Sequence, residues 1–364
     1  MLMASGSRGG VFAAYDTARR LLWPLVLSQL TFNVLLAAVL GPFLALTLRA
    51  AVALSGEPAL ADFDIAWFLL SPLGFVALLA VASLALALGV LNLGFMMSVA
   101  LNDRMWGTHR FLDAVGTVLP RLGRLSAFAA LLLLRVLALS LPFLLLAGWI
   151  YATRLTAFDI NYYLSQRPPE FVTAVLLIGA VLALMALVLL RKLSGWALAL
   201  PLVLFSGIGA RASFAASRAR MRGRRLRLVW AVLLWAALSA ILVGVPFAVM
   251  GWISETAAGW AGDDLGALVR VLLICVALWS ILSLVVGAWS SGALAVLLMA
   301  QADWPGDTRL AARPAPGWLA PALIVAAGVA VVVAGLGLMA ADARGPADRV
   351  EVIAHRGAAG ARPE

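Results

Sequence analysis

The apolar residues of this chain fall into uninterrupted runs too long to be the core helices of a water-soluble fold. A helix crosses the hydrocarbon core of a bilayer with about 20 consecutive apolar residues, and several runs here reach or exceed that length. Seven are legible, at 21–48, 68–101, 127–151, 171–190, 228–253, 269–300 and 318–341. They predict an all-α polytopic membrane helix bundle of about seven spans over residues 1–341. Of the 364 residues, 64% are hydrophobic and 12% charged. A soluble domain carries about 25% charged residues, so too few charges exist here to cover a water-facing surface. Arg19 and Arg20 precede a first run too long for a cleavable signal peptide.

The formal net charge of +10 sits in the segments between spans, as cytoplasmic loops require, and nucleic acid is not an expected partner. With the N-terminus inside, the inner segments hold Arg8, Arg19 and Arg20, then Arg104, Arg110, Arg121 and Arg124. They continue with the dense group from Arg191 to Arg227, and with Arg309 and Arg313. The outer loops before the seventh span hold only Arg49, Arg154, Arg167 and Arg270. This asymmetry places the chain in a bacterial cytoplasmic (inner) membrane with a cytoplasmic N-terminus; an odd number of spans leaves the C-terminus extracytoplasmic.

Residues 194–209 are apolar but short, hold Pro201, and lie between two basic groups. A full crossing would strand one basic group outside, so the segment reads as interfacial, re-entrant, or the slanted end of a broken fourth helix. Residues 211–227 carry seven Arg beside the membrane. They either attract anionic lipid at the cytoplasmic face, at about 1 kcal/mol per residue, or serve only to set topology. Residues following Asn102 read as an amphipathic surface helix with a solvated His109.

Inside the spans, Arg135 has two readings: a functional group held in hydrocarbon, or a side chain that snorkels to the inner headgroups or pairs with a polar neighbour in the bundle. Gln29, Asn33 and Asn92 read as interhelical hydrogen-bonding groups. Cys275 reads as a small buried hydrophobe. Pro24, Pro42, Pro72, Pro142, Pro201 and Pro246 remove backbone donors and predict kinks. The outer loop with Tyr162 and Tyr163 reads as an aromatic belt or a docking surface.

The chain changes character after Ala341. Residues 342–348 form a Gly/Pro-containing linker, and 349–354 alternate polar and apolar before ending in Val-Ile-Ala, a short buried strand. His355, Arg356 and Gly357 follow it, then a Gly-rich turn, Pro363 and Glu364. Parallel α/β barrels present catalytic groups in this way, at the C-terminal ends of their strands. The chemistry suits a phosphodiester. Arg clamps phosphate oxygens, His carries a proton near neutral pH, and Glu ligates a divalent ion.

The string VIAHRGAAGARPE, residues 352–364, resembles the opening strand and first motif of glycerophosphodiester phosphodiesterases. DINYYLSQRPPEF (159–171) and ALPLVLFSGIGARASFAASRARMRG (199–223) resemble the membrane domain that some bacterial members carry before the barrel. The resemblance implies that 349–364 begin a (β/α)8 catalytic domain, here truncated to its first strand. It implies His355 as general acid/base, Arg356 as a phosphate contact and Glu364 as ligand of a divalent cation, Ca²⁺ or Mg²⁺. The implied reaction hydrolyses a glycerophosphodiester to glycerol 3-phosphate and an alcohol on the outer face.

One strand closes no barrel, so this stretch of chain is expected to be inactive alone. It is then a truncated parent enzyme, a fragment, or a module whose catalytic part is encoded separately. The competing expectation is a membrane module that binds or translocates a lipid or envelope polymer. The sequence leaves the oligomeric state open.

Overall fold

The computed structural model describes residues 10–44, 46–47, 72–101, 107–158, 160–261, 265–301, 316–318, 321–322 and 325. The chain divides into two compact units, Met1–Ala320 and Pro321–Glu364. In the second, the described positions 321, 322 and 325 are helical. The linker, the 349–354 strand, His355, Arg356, Glu364 and nearly all of the seventh predicted span lie outside the described residues. No strand occurs among the described residues.

The first unit is a helix bundle. Its helices are α1 (Val11–Arg20), α2 (Leu22–Leu35), α3 (Pro72–Leu101), α4 (Gly107–Val118), α5 (Leu122–Arg154) and α6 (Ile160–Gln166). They continue as α7 (Pro169–Trp196), α8 (Ala199–Phe205), α9 (Ala210–Arg220), α10 (Arg225–Ala261) and α11 (Leu265–Gln301). A π-helical turn, Leu36–Leu40, extends α2. Six stretches among the described residues are long and apolar enough to cross a membrane, and they match the first six predicted spans. Their lipid-facing character is plain in side chains such as Leu145, Leu176, Trp230 and Val276, each more than half exposed. No water-soluble fold tolerates so many, because each exposed apolar surface goes unburied.

Local chemistry sets the helix ends. Pro168 and Pro169 open α7 where a missing N–H costs nothing, and Glu170 in the first turn complements the helix dipole. Pro142 and Pro246 lie inside α5 and α10. Beside Pro246 an apolar cleft of about 250 Å³ opens between α10 and α11, lined by Leu242, Trp279 and Val286 among others.

Packing centres on α11, which contacts α1, α2, α3 and α10. Gly292 on α11 sits against the fully buried Leu25 of α2. A Cβ built there would collide with Leu25 Cδ1 and come within 3.1 Å of Cδ2. Small residues permit this kind of close backbone approach in membrane bundles.

The helix α1 was not among the predicted elements, although Val11, Ala14, Tyr15 and Ala18 repeat at helical spacing and are all buried. Tyr15 ties it down in three ways. Its hydroxyl is 2.8 Å from Ser239 Oγ, its ring meets Trp289 edge-on at 5.5 Å, and its carbonyl accepts from Trp289 Nε1 at 2.9 Å. The amphipathic reading of the segment after Asn102 matches α4, and His109 is exposed. Arg110, expected as a surface charge, is instead buried. Its Nε donates to the Val99 carbonyl at 2.7 Å, and Nη2 to that of Ala100 at 3.4 Å, capping α3. Cys275 is part-exposed on α11 rather than buried.

Candidate functional site

Of the polar residues expected to bond between helices, Asn92 and Gln29 do so, whereas Asn33 is bonded within its own helix α2. Asn92 on α3 donates to Gln29 Oε1 on α2 at 3.2 Å, and Gln29 donates to Asn33 Oδ1 at 3.2 Å. The aromatic residues around α6 also form one group: Tyr163 is buried, stacks on Phe171 at 5.7 Å, and lies within 6.0 Å of Phe158.

The segment at 194–209 is where the chain departs from a plain span. The α7 helix breaks at Ala197 and Leu198, continues as the buried α8, and returns as α9. Gly207, at φ +68°, makes the reversal that a side chain would resist. The hairpin packs on α5, and α9 also on α7. Backbone exposed by the break is satisfied by one hydroxyl. Ser217 Oγ donates to the Gly195 carbonyl at 2.9 Å and accepts from Leu198 N–H at 3.1 Å. Irregular backbone at membrane depth persists only when buried and satisfied in this way. Of the three sequence readings, the broken fourth helix describes the break that is seen after Trp196.

The hairpin carries Phe214 into an aromatic group with Phe128 of α5, stacked at 5.2 Å, and Trp196, edge-on at 5.4 Å. Arg135 of α5 completes it: its guanidinium carbon is 3.7 Å from the Phe214 centroid and 5.8 Å from that of Trp196. Neither open hydrocarbon nor simple snorkelling describes this side chain. An aromatic face holds the charge through the ring quadrupole. Nη1 of Arg135 is buried with no hydrogen-bond partner among the described residues, and Arg211 and Arg218 of α9 lie within electrostatic reach.

At Gly195, the residue before Trp196, a second guanidinium lies against the backbone. An added Cβ at Gly195 would stand 3.4 Å from Arg225 Cζ and 3.5 Å from Arg218 Cγ. Nε of Arg225 is buried and also without a partner among the described residues. Beside it is a cleft of about 280 Å³ between α7 and α10, with Arg191, Ser194 and Arg225 at its polar end. Sequence reading found the basic density of this region. It missed Gly195, Ser217 and Phe214, whose roles depend on the chain folding back on itself.

Among the described residues no group of three or more His, Cys, Asp or Glu could hold a metal ion. A family model described as the membrane domain of glycerophosphoryl diester phosphodiesterase matches residues 16–312. No curated protein and no solved structure matches the chain.

Proposed function

Because the chain belongs to the family of membrane domains of glycerophosphoryl diester phosphodiesterases, we propose that it anchors a phosphodiesterase acting on glycerophosphodiesters at the outer face of a bacterial inner membrane. The single observation that carries this reading is the family match over 16–312, adjoining the His-Arg-Gly…Pro-Glu motif at 355–364. In this reading the basic loops face the cytoplasm and residues 342–364 emerge on the other side.

Arg356 grips two phosphate oxygens through its planar fork. Water forms the new bond to phosphorus as the bond to the alcohol oxygen breaks; His355 gives a proton to the leaving alkoxide, the water's proton passes to solvent, and the products are glycerol 3-phosphate and an alcohol. Glu364 offers one carboxylate to a divalent cation, Ca²⁺ or Mg²⁺, which offsets phosphate charge when bound. A single carboxylate falls short of the six to eight oxygens that Ca²⁺ takes, so Glu364 alone does not hold the ion.

The test is hydrolysis of glycerophosphocholine and glycerophosphoglycerol by the full product of the reading frame that encodes this chain, purified in detergent. Activity that disappears with EDTA and with His355→Ala supports the reading; activity unchanged in both defeats it. Orientation is tested separately. A periplasmic reporter fused after Ala347 is expected to be active, and one fused after Arg222 silent.

A second reading, a module that binds or translocates a lipid or envelope polymer, is favoured by one observation. The cleft between α7 and α10 joins guanidinium groups to an apolar wall.

A further inference from the structure

The cleft between the end of α7 and the start of α10 has two chemically distinct halves. Leu187, Leu190, Leu226 and Val229 form an apolar wall, and Leu187 and Leu226 are 63% and 69% exposed on the bundle surface. Arg191, Ser194 and Arg225 form the other half, and no carboxylate lines the cleft. The two halves follow the direction of the bundle: the apolar side chains belong to the spans, the guanidinium groups to the basic end.

Three features make the polar half a prepared anion site rather than a stretch of surface charge. Nε of Arg225 is buried and has no partner among the described residues. A guanidinium that already carries one desolvated, unmet donor gains from an oxygen on the rest of its fork. Gly195 lies against the same group: an added Cβ would stand 3.4 Å from Arg225 Cζ and 3.5 Å from Arg218 Cγ, so both side chains are packed against this turn of α7. Finally, Arg225 is the first residue of α10, so the positive dipole end of a long helix lies at the polar end of the cleft.

We infer that this cleft binds an anionic glycerophospholipid from the bilayer, its phosphate held by Arg225 and Arg191 and its acyl chains lying along Leu187, Leu190 and Leu226. The inference does not rest on the hydrolase reading. Phosphate chemistry alone would also admit a free anion. The apolar wall commits the site to a lipid, because a free anion gains nothing from it.

The experiment is a native mass-spectrometric titration of the delipidated full chain in detergent. Its probes are dioleoyl phosphatidylglycerol, dioleoyl phosphatidylcholine, glycerophosphoglycerol and inorganic phosphate. Phosphatidylglycerol is expected to bind most tightly. Arg225→Gln is expected to weaken it by about tenfold or more, as loss of a charge-assisted hydrogen bond implies. Arg227→Gln, an exposed cation outside the cleft, leaves it unchanged.

Arg225→Lys guards against a folding defect: it keeps the charge, loses the fork, and is expected to fall between wild type and Arg225→Gln. Equal weakening by Arg227→Gln would mean a diffuse basic surface and overturn the site. So would unchanged binding in Arg225→Gln. Inorganic phosphate or glycerophosphoglycerol displacing the lipid at equal concentration would overturn the lipid assignment in favour of a free anion.

Discussion

The guanidinium carbon of Arg135 stands 3.7 Å from the centroid of the Phe214 ring, so a helix at membrane depth and the returning limb of a hairpin are joined by a cation on an aromatic face. Cation–π contacts are worth about 0.5–1 kcal/mol when exposed and about 2 or more when desolvated. A double-mutant cycle of Arg135→Met and Phe214→Leu, read by thermal melting in detergent, is expected to give a coupling of about 0.5–2 kcal/mol. Additive effects would reduce the pair to neighbours in a packed core.

The contact of Gly292 with Leu25 gives a sharper expectation. Leu25 is fully buried and cannot swing into solvent. Gly292→Ala is therefore expected to destabilise by about 1–3 kcal/mol, the usual cost of overpacking. The Leu25→Ala change alone leaves a cavity and costs about 2–5 kcal/mol. Combined, the two should cost less than their sum, because the added methyl enters the space vacated. Melting temperatures of the four proteins in one detergent decide it.

Tyr15→Phe removes the hydroxyl 2.8 Å from Ser239 Oγ but keeps the ring against Trp289 and the backbone carbonyl that Trp289 binds. A loss of about 0.5–1.5 kcal/mol is expected, the net value of one hydrogen bond. Tyr15→Ala loses the ring contact as well and should release α1 from the bundle. Proteolysis at Arg19 and Arg20 reports that release: slow in wild type and Tyr15→Phe, fast in Tyr15→Ala.

What was legible in the sequence follows from which forces act locally. Run length depends only on the bilayer, so the first six spans appear in place, and the glue role of Gln29 and Asn92 follows from placing amides in hydrocarbon. The hairpin was harder. Its apolar composition marked 194–209 as unusual, but the partner of Gly195 is Ser217, and the partner of Phe214 is Arg135, far apart in sequence. Arg110 misled for a related reason. A basic residue between spans reads as a topology signal, whereas here the carbonyls at the end of α3 capture it. Helix α1 carried its signal openly, as Val11, Ala14, Tyr15 and Ala18 at one face, overshadowed by the stronger span that follows.

That same helix yields a pH-dependent expectation. Asp16 accepts from Arg19 at 3.2 Å and Arg20 at 2.8 Å, and these two guanidinium groups hold its carboxyl below the ordinary carboxylate range. A folded-state value below the unfolded one means the contribution is fully present above the unfolded value, about 3.9. It is lost as pH falls through the lowered folded value. All three side chains are well exposed, so the effect is small and weakens with salt. A nitroxide placed at the exposed Phe12 should show α1 loosening as the medium is acidified below about pH 4. Asp16→Asn should show the looser spectrum already at neutral pH and little further change on acidification. A wild-type spectrum that stays constant through the same range would mean that the Asp16 pairings, which lie within α1, add nothing measurable to its order.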